Sequence, residues 1–474
     1  MITRRTFLKT TALAAAGASL SARSWSQVVG ANGDIRIAVV GLNGRGKSHM
    51  EMFPAVPGVR VVALCDVDSA VLARAAQRYS IPDTTADIRD LLSRSDIDAV
   101  TLATPNHWHA LMGIWACQAG KDVYVEKPVS HSIWEGRQLA AAAAKYNRIA
   151  CAGTQARSAP CIAEAVAWVR AGNLGRILVS RGFCYKRRPS IGLTVGPQPI
   201  PSSVNYDLWL GPAPYGPLRR KSLHYDWHWV WPTGNGDVGN QGPHQMDIAR
   251  WFLGEPKVAP HCIAVGGRLG YVDDGRTPNT LSLVHDYPAA PLVFEVRGLP
   301  AGTGQSKMDN YRGIGIGNIV QCEGGYVAVP ATYTSAAAYD NAGKLIRKFE
   351  GGASHAANFI AAVRARDPSL LHISVAESHV SSSLCHYANI SYLLGQTQSP
   401  DEIREKLSAR PLLAESFGRM AEHLSANGVD LRATPARLGV PLEIDPESQR
   451  TPDEAANRLL TQSYRPPYVV PAAV

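Results

Sequence analysis

The sequence predicts an α/β protein: an N-terminal doubly wound parallel sheet, then an α+β domain with a largely antiparallel open sheet. Between residue 34 and about residue 150, short apolar runs alternate with segments of helical composition. Such alternation is typical of right-handed βαβ crossovers. The first apolar run stops at clustered glycines that lead into a helix. Beyond residue 155, strand-like runs follow one another more closely, which favours antiparallel pairing on one sheet with helices on one face.

The elements of the first domain, residues 34–155, follow from these runs. We predict strands at Ile35–Val40, Val59–Leu64, Ala99–Ala103 and Asp122–Val125, and helices at Val71–Tyr79 and Glu135–Tyr146. The second domain, residues 156–395, is assigned in the same way. We predict helices at 162–171, 236–253 and over much of 352–395, strands at 177–185, 262–265, 280–286, 293–297 and 318–323, and a Pro/Gly-rich loop at 189–217. Residues 396–474 are expected to form an irregular C-terminal extension packed on the body.

Length and composition place the chain among globular proteins with room for two cores. It has 474 residues, 45% hydrophobic and 18% charged. The formal net charge is +9, but part of it lies in an N-terminal leader. No basic run is interleaved with aromatic residues, so we expect no nucleic-acid partner.

Residues 1–30 have the pattern of an export signal. Arg4-Arg5-Thr-Phe-Leu-Lys9 precedes an alanine-rich apolar stretch from Thr11 to Leu20. This pattern resembles a twin-arginine signal, and an ordinary secretory leader is the alternative. The stretch is shorter than the roughly 18 residues of a stable membrane span. We therefore expect export through the twin-arginine translocase, a periplasmic location and no membrane span.

Eight cysteines are scattered through the chain without a Cys-x-x-Cys pair. Most lie inside apolar runs such as Val61–Cys65, which is typical of core packing. We expect free thiols and no metal site. A disulfide between Cys151 and Cys161 is the alternative.

The turn Gly41-Leu-Asn-Gly-Arg-Gly46 follows the first strand and opens a helix. Bare backbone N–H groups at such a helix N-terminus bind a pyrophosphate, so the turn predicts a dinucleotide site. It departs from Gly-x-Gly-x-x-Gly at the second glycine, where Asn43 stands, but Asn tolerates left-handed backbone. We assign cofactor contacts to Gly41, Asn43, Gly44, Arg45 and Gly46.

Asp66 supports this assignment, because it ends the second strand twenty residues after Gly46. A carboxylate there accepts hydrogen bonds from ribose hydroxyls and repels a 2′-phosphate, which predicts NAD rather than NADP. A glycine turn with an acid placed by chance is the alternative.

Two further segments follow the third and fourth strands, at the sheet edge where ligands bind. In Thr104-Pro-Asn-His-Trp-His109 we assign Thr104, Asn106 and His109 to the cofactor, and a purely structural turn is the alternative. In Glu126-Lys127-Pro128, Lys127 is the candidate proton shuttle and Glu126 a cofactor contact. A lysine near the positive nicotinamide ring has a lowered pKa. Pro128 can fix its backbone, for instance through a cis bond. A surface Lys-Pro turn is the alternative.

These residues resemble the Gfo/Idh/MocA oxidoreductases, the family of glucose–fructose oxidoreductase and inositol dehydrogenase. The matching segments are the Gly41–Gly46 turn, Asp66, Thr104–His107, Glu126–Pro128 and the helical segment around His244. The resemblance implies a Rossmann domain, a C-terminal α/β domain whose open sheet often mediates homo-oligomerisation, and a substrate cleft between them. It also implies that the lysine acts on the reacting hydroxyl.

The segment around His244 departs from the family pattern. Polyol-oxidising relatives carry Asp-x-x-x-His, whereas this chain has Asn240-Gln-Gly-Pro-His244, followed by Asp247. His244 matches the acid/base histidine, but the Asn240 amide cannot accept a proton. Asp237 or Asp247 is a candidate replacement, and we assign Asn240 and Asp247 to the substrate side. A core histidine capping a helix is the alternative.

Half of the ten tryptophans lie between residues 209 and 251. In Tyr225-Asp-Trp-His-Trp-Val-Trp231 the aromatics alternate, so in an extended segment they would share one face. Indole faces stack on the C–H faces of sugars, which makes Trp229 and Trp231 candidate substrate contacts. An aromatic core patch is the alternative.

Together these features predict an exported NAD-dependent oxidoreductase that transfers hydride between a carbohydrate hydroxyl and tightly bound NAD. The carbohydrate would be a sugar, polyol or glycoside. One alternative is a redox-assisted glycoside hydrolase that oxidises C3 transiently, eliminates and returns the hydride. A non-enzymatic sugar-binding relative is a third hypothesis.

Overall fold

The structure is a computed structural model that describes residues 33–474. The predicted export signal lies outside this range. In the part that is described, no helix combines the length and apolar character needed to cross a membrane.

The first domain is a parallel sheet with helices on both faces. Within residues 33–474 it has six strands in the order β3-β2-β1-β4-β5-β6, which are Ile35–Val40 (β1), Val59–Cys65 (β2), Thr84–Thr85 (β3), Ala99–Leu102 (β4), Asp122–Val125 (β5) and Ala150–Ala152 (β6). The helices are Gly46–Met52 (α1), Ser69–Tyr79 (α2), Ile88–Leu92 (α3), Asn106–Gln118 (α4) and Ile133–Lys145 (α5). Every residue of β4 and β5 is buried, because helices cover both faces of the sheet. The carboxyl ends of β1, β4 and β5 consequently meet at one edge.

The second domain is built on a mixed, mostly antiparallel sheet. Its main strands are Ile177–Tyr185 (β7), His261–Gly267 (β8), Thr280–Asp286 (β9), Leu292–Arg297 (β10), Ile316–Cys322 (β11), Gly325–Pro330 (β12), Ser335–Tyr339 (β13) and Leu345–Glu350 (β14). They are ordered β14-β13-β12-β11-β7-β10-β9-β8, and only β7 and β10 among them pair in parallel. Short strands from the C-terminal part continue the sheet at Gln396–Thr397 (β15), Arg437–Leu438 (β16) and Leu442–Glu443 (β17). The predicted fold class is confirmed.

Helices cover both faces of this second sheet, so the expectation of helices on one face is wrong. Cys262 and Ala264 of β8 pack against the helices Gly242–Leu253 and Val375–Leu394 on one face of the sheet. Ile263 and Val265 pack against the helix Pro411–Ala426 on the opposite face. The remaining helices are Pro160–Arg170 (α6), Tyr206–Leu210 (α7), Gly236–Asn240 (α8), Gly242–Leu253 (α9), His355–Ala365 (α10), Val375–Leu394 (α11), Pro400–Leu407 (α12), Pro411–Ala426 (α13) and Glu454–Arg458 (α14). Strand β8 has apolar side chains on both of its faces, so both faces must be buried, and α13 covers the face that carries Ile263 and Val265.

Two other segments depart from the predicted organisation. The extension after residue 395 was expected to be irregular, but it contains α12 and α13, and its end places Tyr468 against Trp108 of the first domain. Helix α10 was assigned to the second domain, yet Phe359 packs on Phe53 and Tyr124 beneath the first sheet. The chain thus returns to its N-terminal domain after β14, and again near Tyr468.

Candidate active site

A cavity of about 650 Å³ lies between the two domains, at the sheet edge formed by β1, β4 and β5. From the first domain it is lined by the glycine turn, Asp66, Thr104, Asn106, His109, Glu126 and Lys127. From the second domain it is lined by Lys186, Tyr225, Trp227, His228, Asn240, Gln241, His244 and Tyr333. The predicted cofactor and proton-transfer residues therefore come together in one place.

The glycine turn has the geometry that a dinucleotide pyrophosphate requires. Gly41 has φ +83°, and a Cβ atom there would lie 2.7 Å from the Ala103 carbonyl oxygen. A Cβ atom at Gly46 would lie 1.8 Å from the Gly41 carbonyl oxygen, whereas one at Gly44 would meet nothing within 4 Å. The turn is closed on its protein side and open toward the cavity. The residues present thus fit the pyrophosphate of NAD.

Asp66 lies at the cavity wall beside this turn. Its two carboxylate oxygens accept hydrogen bonds from the backbone N–H groups of Leu42, at 2.8 Å, and Asp68, at 3.0 Å. Burial raises the pKa of Asp66, and these two hydrogen bonds oppose the rise. Since a carboxylate has about four acceptor positions, Asp66 still has capacity for ribose hydroxyls.

Glu126 joins the glycine turn to the strand that carries the lysine. Its buried carboxylate accepts from Arg45 Nε at 2.8 Å, and His49 Nε2 lies 3.2 Å away. Burial would raise the pKa of Glu126, but His49, Arg45 and Lys127 hold it well below its usual range. Arg45, predicted to contact the cofactor, is thus engaged by a protein carboxylate, and this ion pair fixes the turn relative to β5.

The segment after β4 supports Lys127 from the other side. The ring nitrogens of His109 lie 2.6 Å from the Pro128 carbonyl oxygen and 2.8 Å from that of Thr104. Burial lowers the pKa of His109, so its neutral ring donates one hydrogen bond to this pair of carbonyls. Asn106 Nδ2 donates to Asn235 Oδ1 at 2.9 Å, across the domain boundary. The Thr104 hydroxyl is buried without a hydrogen-bond partner within residues 33–474, which leaves it free for a ligand in the cavity.

Lys127 is held by a break in the helical segment 236–253. A single helix was predicted there, but α8 ends at Asn240 and α9 begins at Gly242. The His244 N–H donates to the Gln241 carbonyl, so the Asn240 carbonyl has no helical donor. Lys127 Nζ donates to this carbonyl at 2.6 Å and to Asn240 Oδ1 at 3.2 Å.

Burial lowers the pKa of Lys127, and the charges of Arg45, Arg188 and Lys186 lower it further, while Glu126 opposes them. A neutral Lys127 amine would keep both Asn240 contacts through its two N–H groups. Its lone pair would then point to a third direction and accept a proton.

His244 faces the same cavity as a neutral ring. Burial, followed by the charge of Lys127, lowers its pKa to about 3. Its Nδ1 is buried with no hydrogen-bond partner in the described residues, and its ring centroid lies 5.7 Å from that of Tyr333. His244 can therefore orient a hydroxyl by hydrogen bonding, but it is a weak base near neutral pH.

Neither candidate aspartate replaces the carboxylate that Asn240 lacks. Asp237 is bound by Arg188, with Nη2 at 2.7 Å. Asp247 is fully buried outside the cavity lining and is bound by Arg157, with Nε at 2.6 Å. The assignment of Asp247 to the substrate side is therefore wrong, because its charge is already neutralised inside the second domain.

The aromatic segment also differs from its prediction. Residues 226–229 form a 3-10 turn, not an extended strand, so the rings do not share a face. Trp229 is buried beside Arg188, and Trp231 packs on the hydrophobic core between the second sheet and helices α9 and α11. Both lie outside the large cavity, and Trp227 and His228 line it instead.

A segment of the second domain, residues 198–229, crosses over to the first domain beside the Asp66 end of the cavity; we call it the crossing segment. Its contacts are the Ser69 N–H to the Ser203 carbonyl at 2.8 Å, the Asn205 N–H to the Val67 carbonyl at 2.9 Å, and His224 Nε2 to Asp68 Oδ2 at 2.9 Å. Its residues Trp209, His224, Tyr225, Trp227 and His228 line the cavity. The crossing segment thus covers the site from the side of the second domain.

Several cavity residues are not predicted from the sequence, namely Gln155, Lys186, Trp227, His228, Gln241 and Tyr333. Lys186 and Tyr333 carry no local signal, because each is single and lies next to a strand of the second sheet. Trp227 and His228 were within the aromatic segment, but the assumed extended geometry selected its other members.

Two family models match the chain. Residues 35–154 match the model described as "Oxidoreductase family, NAD-binding Rossmann fold", and residues 169–275 match "Oxidoreductase family, C-terminal alpha/beta domain". The predictions of a Rossmann fold and of NAD as the cofactor are thereby confirmed.

Among curated proteins, the chain is similar to the levoglucosan dehydrogenase of Pseudarthrobacter phenanthrenivorans. They are 28% identical over 235 residues, which is 47% of this chain and 52% of the relative. A glycosyl hydrolase family 109 protein of Shewanella sp. is 38% identical over 114 residues, which is 22% of this chain and 25% of the relative. The chain thus matches about half of the first relative's length and a quarter of the second's.

Solved structures show the same fold. A levoglucosan dehydrogenase in complex with NADH and levoglucosan has a TM-score of 0.56 and 19% identity, over 74% of this chain and 95% of that one. The WlbA dehydrogenase from Bordetella pertussis, in complex with NADH and UDP-GlcNAcA, has a TM-score of 0.54 and 18% identity, over 74% and 94%.

Proposed function

We propose that this chain, whose residues 35–154 and 169–275 match two domain models of the Gfo/Idh/MocA oxidoreductases, is an NAD-dependent oxidoreductase acting on a carbohydrate. It transfers a hydride between a hydroxyl-bearing carbon of a sugar, polyol or glycoside and the bound cofactor. The likeness to a levoglucosan dehydrogenase supports the carbohydrate class.

The observation that carries this proposal is the environment of Lys127. A base that removes a hydroxyl proton must be neutral near the working pH, within reach of substrate and held in place. Burial lowers the pKa of Lys127, and the two oxygens of Asn240 orient its amine toward the cavity. NAD supplies the hydride acceptor at this site. Lys127 takes the hydroxyl proton as the C–H bond breaks, and His244 orients the hydroxyl.

Lys127→Met tests the role, because it keeps most of the stem volume and removes the amine. Turnover should fall by about 10²–10⁴-fold, while NAD bound per protein, measured by mass spectrometry of the native protein, should not change. Lys145→Met is a matched control, since that lysine is a surface residue of α5 away from the cavity. Full activity in Lys127→Met would remove the basis for an enzymatic function.

The cofactor is, in our proposal, carried tightly rather than exchanged. The crossing segment covers the cavity with contacts to Val67, Asp68 and Ser69, which directly follow Asp66; this supports slow release. NAD should therefore survive dialysis, and isolation as an apo-protein with millimolar affinity would contradict this. A homo-oligomer is also expected, and light scattering of the purified protein measures it.

We further propose export through the twin-arginine pathway to the periplasm. The support is the Arg4-Arg5 motif followed by a short apolar stretch. Replacing both arginines by lysine should retain the protein in the cytoplasm, as measured by fractionation. Unchanged export of that variant would favour an ordinary secretory leader.

A redox-assisted glycoside hydrolase is the second candidate. The support is the 38% identity, over 114 residues, to a glycosyl hydrolase family 109 protein. In that reaction, oxidation at C3 acidifies the C2 proton, loss of that proton expels the aglycone, water adds, and the hydride returns to C3. Such an enzyme releases free sugar and exchanges the C2 hydrogen with solvent deuterium. A dehydrogenase releases a keto-sugar and has no need of that exchange.

A further inference from the structure

The cavity wall contributed by the second domain carries an exposed lysine that has no ion-pair partner among the residues from 33 onward. Lys186 directly follows β7 and lines the cavity. Strand β11 pairs with β7 there, with Ile316 opposite Cys184, and Ile316 lines the same wall. Lys186 therefore stands on the substrate side, away from the glycine turn of the first domain.

Two buried carboxylates of the site already have cationic partners. Glu126 is bound by Arg45, and Asp237 is bound by Arg188. Within residues 33–474, therefore, neither of these carboxylates pairs with Lys186 on the substrate side of the cavity.

The residue that contacts Lys127 adds no negative charge, because Asn240 is a neutral amide. The two lysines also influence each other: burial is the main cause of the lowered Lys127 pKa, and Lys186 is among the cations that lower it further. A neutral sugar would leave the charge of Lys186 unpaired, whereas an anion would be attracted and oriented by it.

We propose that the substrate is a sugar acid, a uronic acid or its glycoside, whose carboxylate binds Lys186 while the reacting hydroxyl faces Lys127. This inference rests on the proposed oxidoreductase function and deepens it. A carboxylate at Lys186 gives the ring a fixed end, so that only hydroxyls at the opposite end reach the base. Lys186 thereby determines substrate class, and Lys127 determines the site of reaction.

The test compares matched pairs, methyl glucuronides with methyl glucosides and methyl galacturonides with methyl galactosides, on the holoenzyme. We expect a higher kcat/KM for the uronide of a pair, and a preference that weakens as ionic strength rises. Lys186→Gln should lower the uronide-to-neutral ratio of kcat/KM about tenfold, the loss of one charge-assisted hydrogen bond. Arg187→Gln is the control, because Arg187 is adjacent and exposed but lies outside the cavity lining.

An unchanged ratio in Lys186→Gln, or equal kcat/KM for uronide and neutral sugar, would overturn the inference while leaving the oxidoreductase function intact. If no pair is turned over, calorimetric binding to the NAD-loaded protein decides: uronides that bind no better than neutral sugars contradict the inference. Failure of the proposed function has a different signature, namely no bound NAD and no cofactor reduction with any sugar or polyol.

Discussion

Restoring a carboxylate at position 240 tests whether Lys127 is the titrating base. In Asn240→Asp, the backbone carbonyl at 2.6 Å from Nζ stays, and a charged oxygen replaces the amide oxygen at 3.2 Å. Two unit charges 4 Å apart attract by about 4 kcal/mol at an effective dielectric constant of about 20. If only a third of this acts on Lys127, about 1.4 kcal/mol, the neutral fraction of the amine falls about tenfold.

The sign of the effect follows from the role of the lysine. The added carboxylate favours the ammonium form and raises the pKa of Lys127, so less base is present at neutral pH. The limb of the pH–rate profile that reports this base should move to higher pH, and turnover should recover as pH rises. The assay is kcat against pH with the bound cofactor, followed by its absorbance.

Asn240→Ala separates charge from contact. It keeps the backbone acceptor and adds no charge, so we expect a smaller change of rate and a limb near its wild-type position. If Asn240→Asp and the wild type had superimposable profiles, Lys127 would not be the group that titrates. His244, with a pKa of about 3, would not account for a limb near neutrality either.

Three other substitutions probe the rest of the site. Asp66→Ala should weaken NAD binding about tenfold or more and lessen discrimination against NADP, measured by titration; a wild type that prefers NADP would contradict the assignment. Gly41→Ala should abolish NAD retention, because the new Cβ would lie 2.7 Å from the Ala103 carbonyl oxygen; an unaffected NAD content would show that the turn has room. Asp247→Ala removes the fully buried carboxylate shared by Arg157 and Arg250 and leaves Arg157 only Glu377, which is partly exposed; it should lower the free energy of unfolding by about 3–5 kcal/mol, measured by urea denaturation, with kcat per folded molecule retained. Loss of kcat without loss of stability would return Asp247 to the substrate side.

The parts of the fold that could be predicted are those with strong local periodicity. Strands Asp122–Val125 and Ile177–Tyr185 were predicted with their observed bounds, since apolar runs between turn residues are local signals. Strand Leu345–Glu350 was missed because nearly all its side chains are exposed at the sheet edge. Helix Pro411–Ala426 was missed because its apolar face is recognisable only against the second face of the sheet.

The residues of the site likewise divide into those with a local sequence signal and those without one. Lys127 and Asp66 lie at strand ends in recognisable motifs, so their convergence follows from parallel topology. Trp229 was assigned to the cavity on the assumption of an extended backbone, which the 3-10 turn at 226–229 removes. Lys186 could not be found from sequence, because its position depends on how the second sheet is placed against the first domain.

The order in which the cores close has a consequence for biogenesis. Helix Pro411–Ala426 and the tail around Tyr468 supply apolar contacts to sheets whose strands are translated much earlier. Neither sheet can bury its last apolar surface until these residues have left the ribosome. Until then the nascent chain exposes an apolar sheet face, which is a binding surface for chaperones and a hazard for aggregation. Burial of both sheets therefore waits for the translation of residues 411–470.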